Sequence, residues 1–263
     1  MLLNGKTILI TGANGGLGRA MAKLASARGA TLLLADIDAA QADAAVASLP
    51  DPSTATAYHA DLADAAAIEQ MMQSIVSDYD QLDGVVNNAA TLDLNDTNPV
   101  ETPLASWQHT LSVNLTGAFL IYKYALEKMQ AQGSGSLVTM SSVVAHSASA
   151  NPQIAYTASK GALEAMTREI AITYARDNIR ANCIAPGPIL TERTAHYFDS
   201  EEKWEARRRH IPMGRLGRAE EIADLACFLL SDEAGWQTGG VYRADGGISA
   251  AYLVDDRDGA PTP

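Results

Sequence analysis

Tyr156 and Lys160 stand four residues apart in the stretch YTASK. On a helix that spacing puts a phenol and an ammonium on one face. A free tyrosine has a pKa near ~10 and is a poor base at neutral pH. A neighbouring cation favours the phenolate. Tyr156 could then take the hydroxyl proton of an alcohol while hydride leaves for an acceptor. In reverse it would protonate a carbonyl oxygen. The same spacing is common on surface helices, so the pair alone is weak. Its place after an apolar stretch ending in Ser141–Ser142 strengthens it.

A second set lies near the start of the chain. Thr11 to Gly18 reads TGANGGLG, directly after an apolar stretch and at the head of a helical pattern. Gly12, Gly15, Gly16 and Gly18, with Asn14 and Leu17 among them, let the backbone turn tightly and approach a pyrophosphate. The helix start adds N–H groups and the positive end of a dipole. Asp36 ends the next apolar stretch, 24 residues beyond Gly12. A carboxylate there can accept from both adenosine ribose hydroxyls and would repel a 2′-phosphate. No basic residue lies in the loop before Gly18, and Ile37 follows Asp36. NAD is therefore expected rather than NADP. The competing role for Asp36 is to cap the next helix, which Asp38 could do equally well.

Regular elements must hold these groups in place. Short apolar stretches at 7–11, 31–35, 55–59, 82–87, 136–141, 179–184 and 240–244 read as seven strands. Helical patterns cover 15–28, 65–79, 155–176 and 219–230, with one or two helices within 103–129. Strands apolar on both faces and separated by helices predict a parallel sheet covered on both sides. The expectation is an α/β fold, a single Rossmann-type doubly wound domain over residues 1–254. The polar stretch 255–263 carries two prolines and is expected to fray.

The chain resembles the short-chain dehydrogenase/reductase family over roughly residues 4–252. TGANGGLG resembles its TGxxxGxG loop, NNAA at 87–90 its NNAG motif, and Tyr156/Lys160 its YxxxK. PGPILT at 186–191, RLG at 215–217 and ADGG at 244–247 resemble its later motifs. The resemblance implies that Asn114, Ser142, Tyr156 and Lys160 are catalytic. Ser142 would bond the substrate oxygen, and Lys160 would also hold the nicotinamide ribose. Asn114 would hold a water linking Lys160 to solvent. Asp61 and Leu62 would contact adenine, Asn88 the ribose side, and Ile189 and Thr191 the carboxamide. The segment 191–213 would be a substrate lid. The family's long helices and last strand imply a homotetramer. Two departures stand out. Ala90 replaces a glycine, and Ser142 precedes Tyr156 by 14 residues, one more than a common spacing. Ser141 is the rival for the serine role, but the VVA after Ser142 fits the family register better.

Composition narrows the field. The 263 residues hold 31 acidic and 19 basic side chains, a net charge of −12. That leaves no surplus for a phosphate-binding basic face, so neither nucleic acid nor an anionic membrane is expected as a partner. No apolar run approaches the ~18 residues of a membrane span, and a cytoplasmic location is the expectation. Cys183 and Cys227 sit in apolar surroundings and read as core thiols. His146, His196 and Gln153 could line the substrate pocket with Ser142 and Tyr156, and no histidine has metal-ligand spacing. Arg207–His210 reads as a solvated face balanced by Glu201, Glu202 and Glu205. The expected function is NAD-dependent interconversion of a secondary alcohol and a ketone. Candidate substrates are sugars, polyols, hydroxy acids, dihydrodiols or hydroxysteroids. The alternatives are an NADPH-dependent carbonyl or 3-oxoacyl reductase and a non-catalytic dinucleotide-sensing protein.

Overall fold

A computed structural model describes residues 1–149, 151–192, 194–195 and 198–251. The chain alternates strands and helices from the start: β1 (Thr7–Thr11), α1 (Gly16–Ala27), β2 (Thr31–Asp36), α2 (Ala39–Ala47), β3 (Ala55–His59), α3 (Ala65–Asp78) and β4 (Gly84–Asn87). Then come α4 (Leu104–Leu111), α5 (Gly117–Gln132), β5 (Gly135–Met140), α6 (Ile154–Tyr174) and β6 (Ile179–Pro186). The last part holds β7 (Ile189–Leu190), α7 (Glu201–Arg208), β8 (Gly217–Arg218), α8 (Ala219–Leu230) and β9 (Val241–Ala244).

Seven strands form one sheet in the order β3-β2-β1-β4-β5-β6-β9, and every pairing in it is parallel. This is the doubly wound architecture expected. The alternation inside β1 shows why its residues are apolar throughout. Ile8 and Ile10 pack on one face with Met21 and Ala25 of α1 and with Ile222 and Ala226 of α8. Leu9 packs on the other with Ile68 of α3 and Ile121 and Ala125 of α5. Successive residues point to opposite faces, and both faces are roofed by helices.

The winding reverses between β1 and β4, which are neighbours in the sheet. Loops leaving the two strands part there and open a crevice at their carboxyl ends. Thr11, Asp36, Asn87 and Met140 end the strands on that side.

The structure adds to the sequence expectation in several places. β7 and β8 form a separate parallel pair, Ile189 beside Gly217. The lid contains α7. The segment expected as one or two helices is a rod in which a π-helical turn, Ser112–Thr116, joins α4 to α5. Asp38, not Asp36, caps α2, accepting from the Gln41 N–H at 2.8 Å. No described helix is long and apolar enough to cross a membrane, and the stretch 255–263 lies outside the described residues.

Candidate active site

The glycine loop is held from both sides. Gly12 has φ +61°, and a Cβ there would stand 2.9 Å from the Ala89 Cα. A Cβ on Gly18 would run into the Gly12 carbonyl oxygen and come within 2.9 Å of the Ala13 Cα. Thr11 Oγ1 accepts from the Asn88 and Ala89 N–H groups, each at 3.1 Å. Asn88 Nδ2 donates to the Thr11 and Gly12 carbonyls, each at 3.0 Å. Arg19 donates to the Asn14 carbonyl (3.2 Å) and Oδ1 (2.8 Å), and Asn14 Nδ2 donates to Gln41. The motif expectation sets Asn88 beside a ribose. Its amide nitrogen is instead spent on the loop backbone, because two strand-end carbonyls need a donor where β1 and β4 diverge.

Asp36 touches the same loop. Oδ2 accepts from the Asn14 N–H at 2.9 Å and Oδ1 from the Ile37 N–H at 2.8 Å. Each oxygen keeps further acceptor capacity. Ile37 is 62% exposed beside it. Asp61 is exposed after β3, its Oδ1 accepting from the Ala63 N–H at 2.8 Å. Leu62 is buried against Gly117. No side chain caps the start of α1, so its leading N–H groups and Asp36 flank the loop. Thr191 leans on it from the lid: a Cβ on Gly16 would lie 2.7 Å from the Thr191 Cβ. Ile189 is buried in β7.

α6 supplies the second half. Lys160 is 3% exposed. Its Nζ donates to the Met140 carbonyl at 2.7 Å and lies 5.4 Å from the centroid of the Tyr156 ring. The two serines after β5 part company. Ser141 is buried, and its hydroxyl donates to Glu164 Oε1 at 2.7 Å. Ser142 is half-buried at the head of a short 3₁₀ turn, Val143–Ala145, its Oγ accepting from the Val144 N–H at 3.4 Å. Asn114 sits in the π-turn, 1% exposed. Its Oδ1 accepts from the Thr91 N–H at 2.8 Å, while Nδ2 donates to the Thr91 carbonyl (3.0 Å) and to Ser159 Oγ (3.1 Å). Both of its amide N–H groups are thus spent on protein atoms.

His146 Nε2 lies 3.1 Å from Glu164 Oε1, which draws the ring towards a buried carboxylate. Gln153 is the N-cap residue of α6 and makes no side-chain cap bond. His196 lies outside the described residues. In the lid, Arg207 stacks 5.5 Å from the Phe198 ring centroid and donates to the Lys203 carbonyl, and Arg208 pairs with Glu205 at 2.7 Å. Burial pushes the Cys183 and Cys227 thiols up to about 11, which suits core packing rather than reactivity. A cavity behind the β7–β8 pair, floored by Ile211, Met213 and Ile222, shares Ile189 with the site but none of the α6 groups.

Motif reading passes over two residues here. Glu164 is buried one helical turn beyond Lys160 and gathers Ser141 and His146. Asp96, 5% exposed, accepts from the Ala155 N–H at 2.9 Å and the Tyr156 N–H at 2.8 Å. The only sequence sign of Glu164 is its position four residues after Lys160, and Asp96 has none.

Comparison with known proteins agrees with this geometry. A family profile described as enoyl-(acyl carrier protein) reductase matches residues 12–249. The 3-oxoacyl-[acyl-carrier-protein] reductase FabG of Thermotoga maritima is 36% identical over 250 residues, 94% of this chain and 99% of that one. Levodione reductase of Leifsonia aquatica is 37% identical over 258 residues, 94% of this chain and 95% of that one. Cis-4-hydroxycyclohexanecarboxylate dehydrogenase of Sinomonas cyclohexanicum is 33% identical, covering 93% and 97%. A crystal structure of levodione reductase superposes with a TM-score of 0.85 at 35% identity, covering 95% of this chain and 100% of that one. With the glycine loop, Tyr156 beside the buried Lys160, and relatives matched along nearly their whole length, the chain belongs to the short-chain dehydrogenase/reductase family of oxidoreductases.

Proposed function

We propose that the chain interconverts a secondary alcohol and a ketone with NAD, using Tyr156 as the acid/base. The observation that carries this reading is Lys160, an ammonium kept 3% exposed beside the Tyr156 ring. Burying a charge is costly, so its retention next to a phenol points to use. Tyr156 takes the hydroxyl proton, Lys160 stabilises the phenolate, and Ser142 bonds the substrate oxygen. Asn114 fixes the helix turn facing them through Thr91 and Ser159. The dinucleotide supplies the hydride acceptor. The open start of α1 and the glycines suit its pyrophosphate, with Asn14, Gly15, Gly16 and Leu17 closest to hand.

Asp36 supports NAD over NADP, since its carboxylate sits at the loop edge with exposed Ile37 beside it. The FabG relative favours a second reading, an NADPH-dependent 3-oxoacyl reductase. A homotetramer is the assembly we propose, supported by exposed Leu104, Phe119 and Ile172 on α4, α5 and α6.

The test is a panel of secondary alcohols, including cyclohexanol and cis-4-hydroxycyclohexanecarboxylate, with NAD and with NADP, read by reduced-dinucleotide absorbance. Turnover with a higher kcat/KM for NAD is expected, and Tyr156→Phe should abolish it while keeping NADH binding. A preference for NADP selects the reductase reading. Turnover retained in Tyr156→Phe rejects the mechanism, and NADH binding with no turnover points to a sensor.

A further inference from the structure

The helix that carries Tyr156 and Lys160 does not cap itself. Gln153 holds the N-cap position, yet its side chain bonds none of the leading N–H groups. They are met by the loop after β4. The Ile154 N–H donates to the Thr97 carbonyl at 3.0 Å. The Ala155 and Tyr156 N–H groups donate to the two oxygens of Asp96, at 2.9 Å and 2.8 Å. A serine or aspartate at position 153 would satisfy such donors from the helix's own N-cap. Here a carboxylate is 5% exposed instead. Its burial is offset by two charge-assisted bonds and the positive end of the helix.

The same loop has a second anchor. Thr91 gives both its N–H and its carbonyl to the Asn114 side chain. Asn114 Nδ2 continues to Ser159 Oγ at 3.1 Å, and Ser159 Oγ donates to the Tyr156 carbonyl at 2.7 Å. Tyr156 is therefore held at its N–H by Asp96 and at its carbonyl by Ser159. Both ties lead to one short segment, 91–96. Within it the Asp96 N–H donates to the Asp93 carbonyl at 3.0 Å, and the next N–H, of Thr97, is held by Thr102 at 2.9 Å.

We propose that Asp96 is a positioning residue for Tyr156. Its two-oxygen grip sets the height and rotation of the first turn of α6, and so where the phenol meets the substrate oxygen. Through residues 91–96 it couples that position to Asn114. This rests on the alcohol–ketone reading above. Misplacing a reacting group by about 1 Å costs roughly 100-fold in rate, so a modest drift of this turn is enough to matter.

Asp96→Ala and Asp96→Asn are compared with wild type and Tyr156→Phe, using NAD and the best alcohol of the panel, well below each variant's unfolding temperature. The readouts are kcat, KM, the NADH dissociation constant by fluorescence, and the isotope effect with deuterium on the carbinol carbon. Asp96→Ala should lower kcat about 10- to 100-fold, with NADH affinity kept and the isotope effect retained or larger. Asparagine keeps one acceptor but turns an N–H onto one of the two backbone donors, so Asp96→Asn should recover part of the loss.

A kcat within about twofold of wild type alongside a lower Tm makes Asp96 a helix cap and nothing more, given how local cap effects are. An isotope effect collapsing to unity, or kcat and NADH binding falling together with folded fraction, also overturns the proposal. If Asp96→Ala does not fold, Asp96→Asn carries the same readouts, with an intermediate loss expected and an unchanged kcat decisive against. If Tyr156→Phe stays active, or no panel alcohol reacts, the underlying reading has failed and takes the inference with it. An inactive Tyr156→Phe beside fully active Asp96 variants defeats the inference alone.

Discussion

Adding one methyl group at Gly18 tests whether the glycine loop is as tight as its geometry states. The new Cβ in Gly18→Ala would meet the Gly12 carbonyl oxygen and stand 2.9 Å from the Ala13 Cα, both backbone atoms. Gly12 is itself closely approached, since a Cβ there would lie 2.9 Å from the Ala89 Cα. Overpacking of this kind costs about 1–3 kcal/mol, and the rigid setting argues for the upper end. Alanine returns up to about 1 kcal/mol of helix propensity. A net loss of about 2 kcal/mol lowers Tm by roughly 4–8 °C for a chain of this size. Strain that relaxes by opening the loop must be restored when the pyrophosphate binds. About 3 kcal/mol of it weakens NADH binding by roughly 100-fold. Gly161→Ala is the matched control. Nothing lies within 4 Å of its added Cβ, inside α6. It should raise Tm by about 2–4 °C, the return on roughly 1 kcal/mol of propensity, and leave NADH affinity alone. Thermal unfolding and fluorescence titration read both variants. Wild-type NADH affinity and Tm in Gly18→Ala would refute the reasoning.

The two serines should separate cleanly. Ser142→Ala should cut kcat by about 100- to 1,000-fold, the usual cost of losing a donor to the developing oxyanion, with NADH binding intact. Ser141→Ala deprives buried Glu164 of its 2.7 Å donor. It should cost about 1–3 kcal/mol of stability and spare kcat, and the reverse pattern would exchange the two roles. Glu221 gives a pH test. Bonds from Arg215 and from the Arg218 backbone hold its carboxyl down to about 2 from the usual 4.5. A depressed folded pKa means its stabilisation is present above about 4.5 and is lost as pH falls towards about 2. Glu221→Gln should therefore flatten the acid loss of Tm in that window, and an unchanged acid profile would count against the pairing.

The strands of the main sheet were legible because a central parallel strand must be apolar on both faces, as Ile8, Leu9 and Ile10 show. Elements that bury little were not. α7 has no buried residue, so EEKWEARR carries no apolar period. α2 buries only Ala42 and Ala45. β7 and β8 are two residues each, too short for any alternation. At the site, the residues fixed by local spacing were legible: the glycines, and Tyr156 with Lys160. Register favours Ser142 over Ser141, and the structure turns the Ser141 hydroxyl into the core. The groups that were not legible act across long sequence distances. Asp96 meets a helix start 59 and 60 positions away, and Asn88 finds its acceptors 76 and 77 positions back. His146 sits near the serine in sequence, but Glu164 decides where its ring goes.

The π-turn at Ser112–Thr116 has a consequence for how this stretch tolerates change. Such a turn closes i to i+5 and so stores one residue more than an α-turn. Each residue of an α-helix adds about 100° of rotation. Because the wide turn has already absorbed its extra residue, removing one residue here would close it to plain α-helix with the two halves keeping nearly their present faces. Leu104–Leu111 and Gly117–Gln132 would keep their alignment, but Asn114 would lose the widened turn from which it reaches Thr91 and Ser159. The segment thus behaves like slack in a line: the spare residue serves to place Asn114 and leaves the alignment of the two helices unchanged.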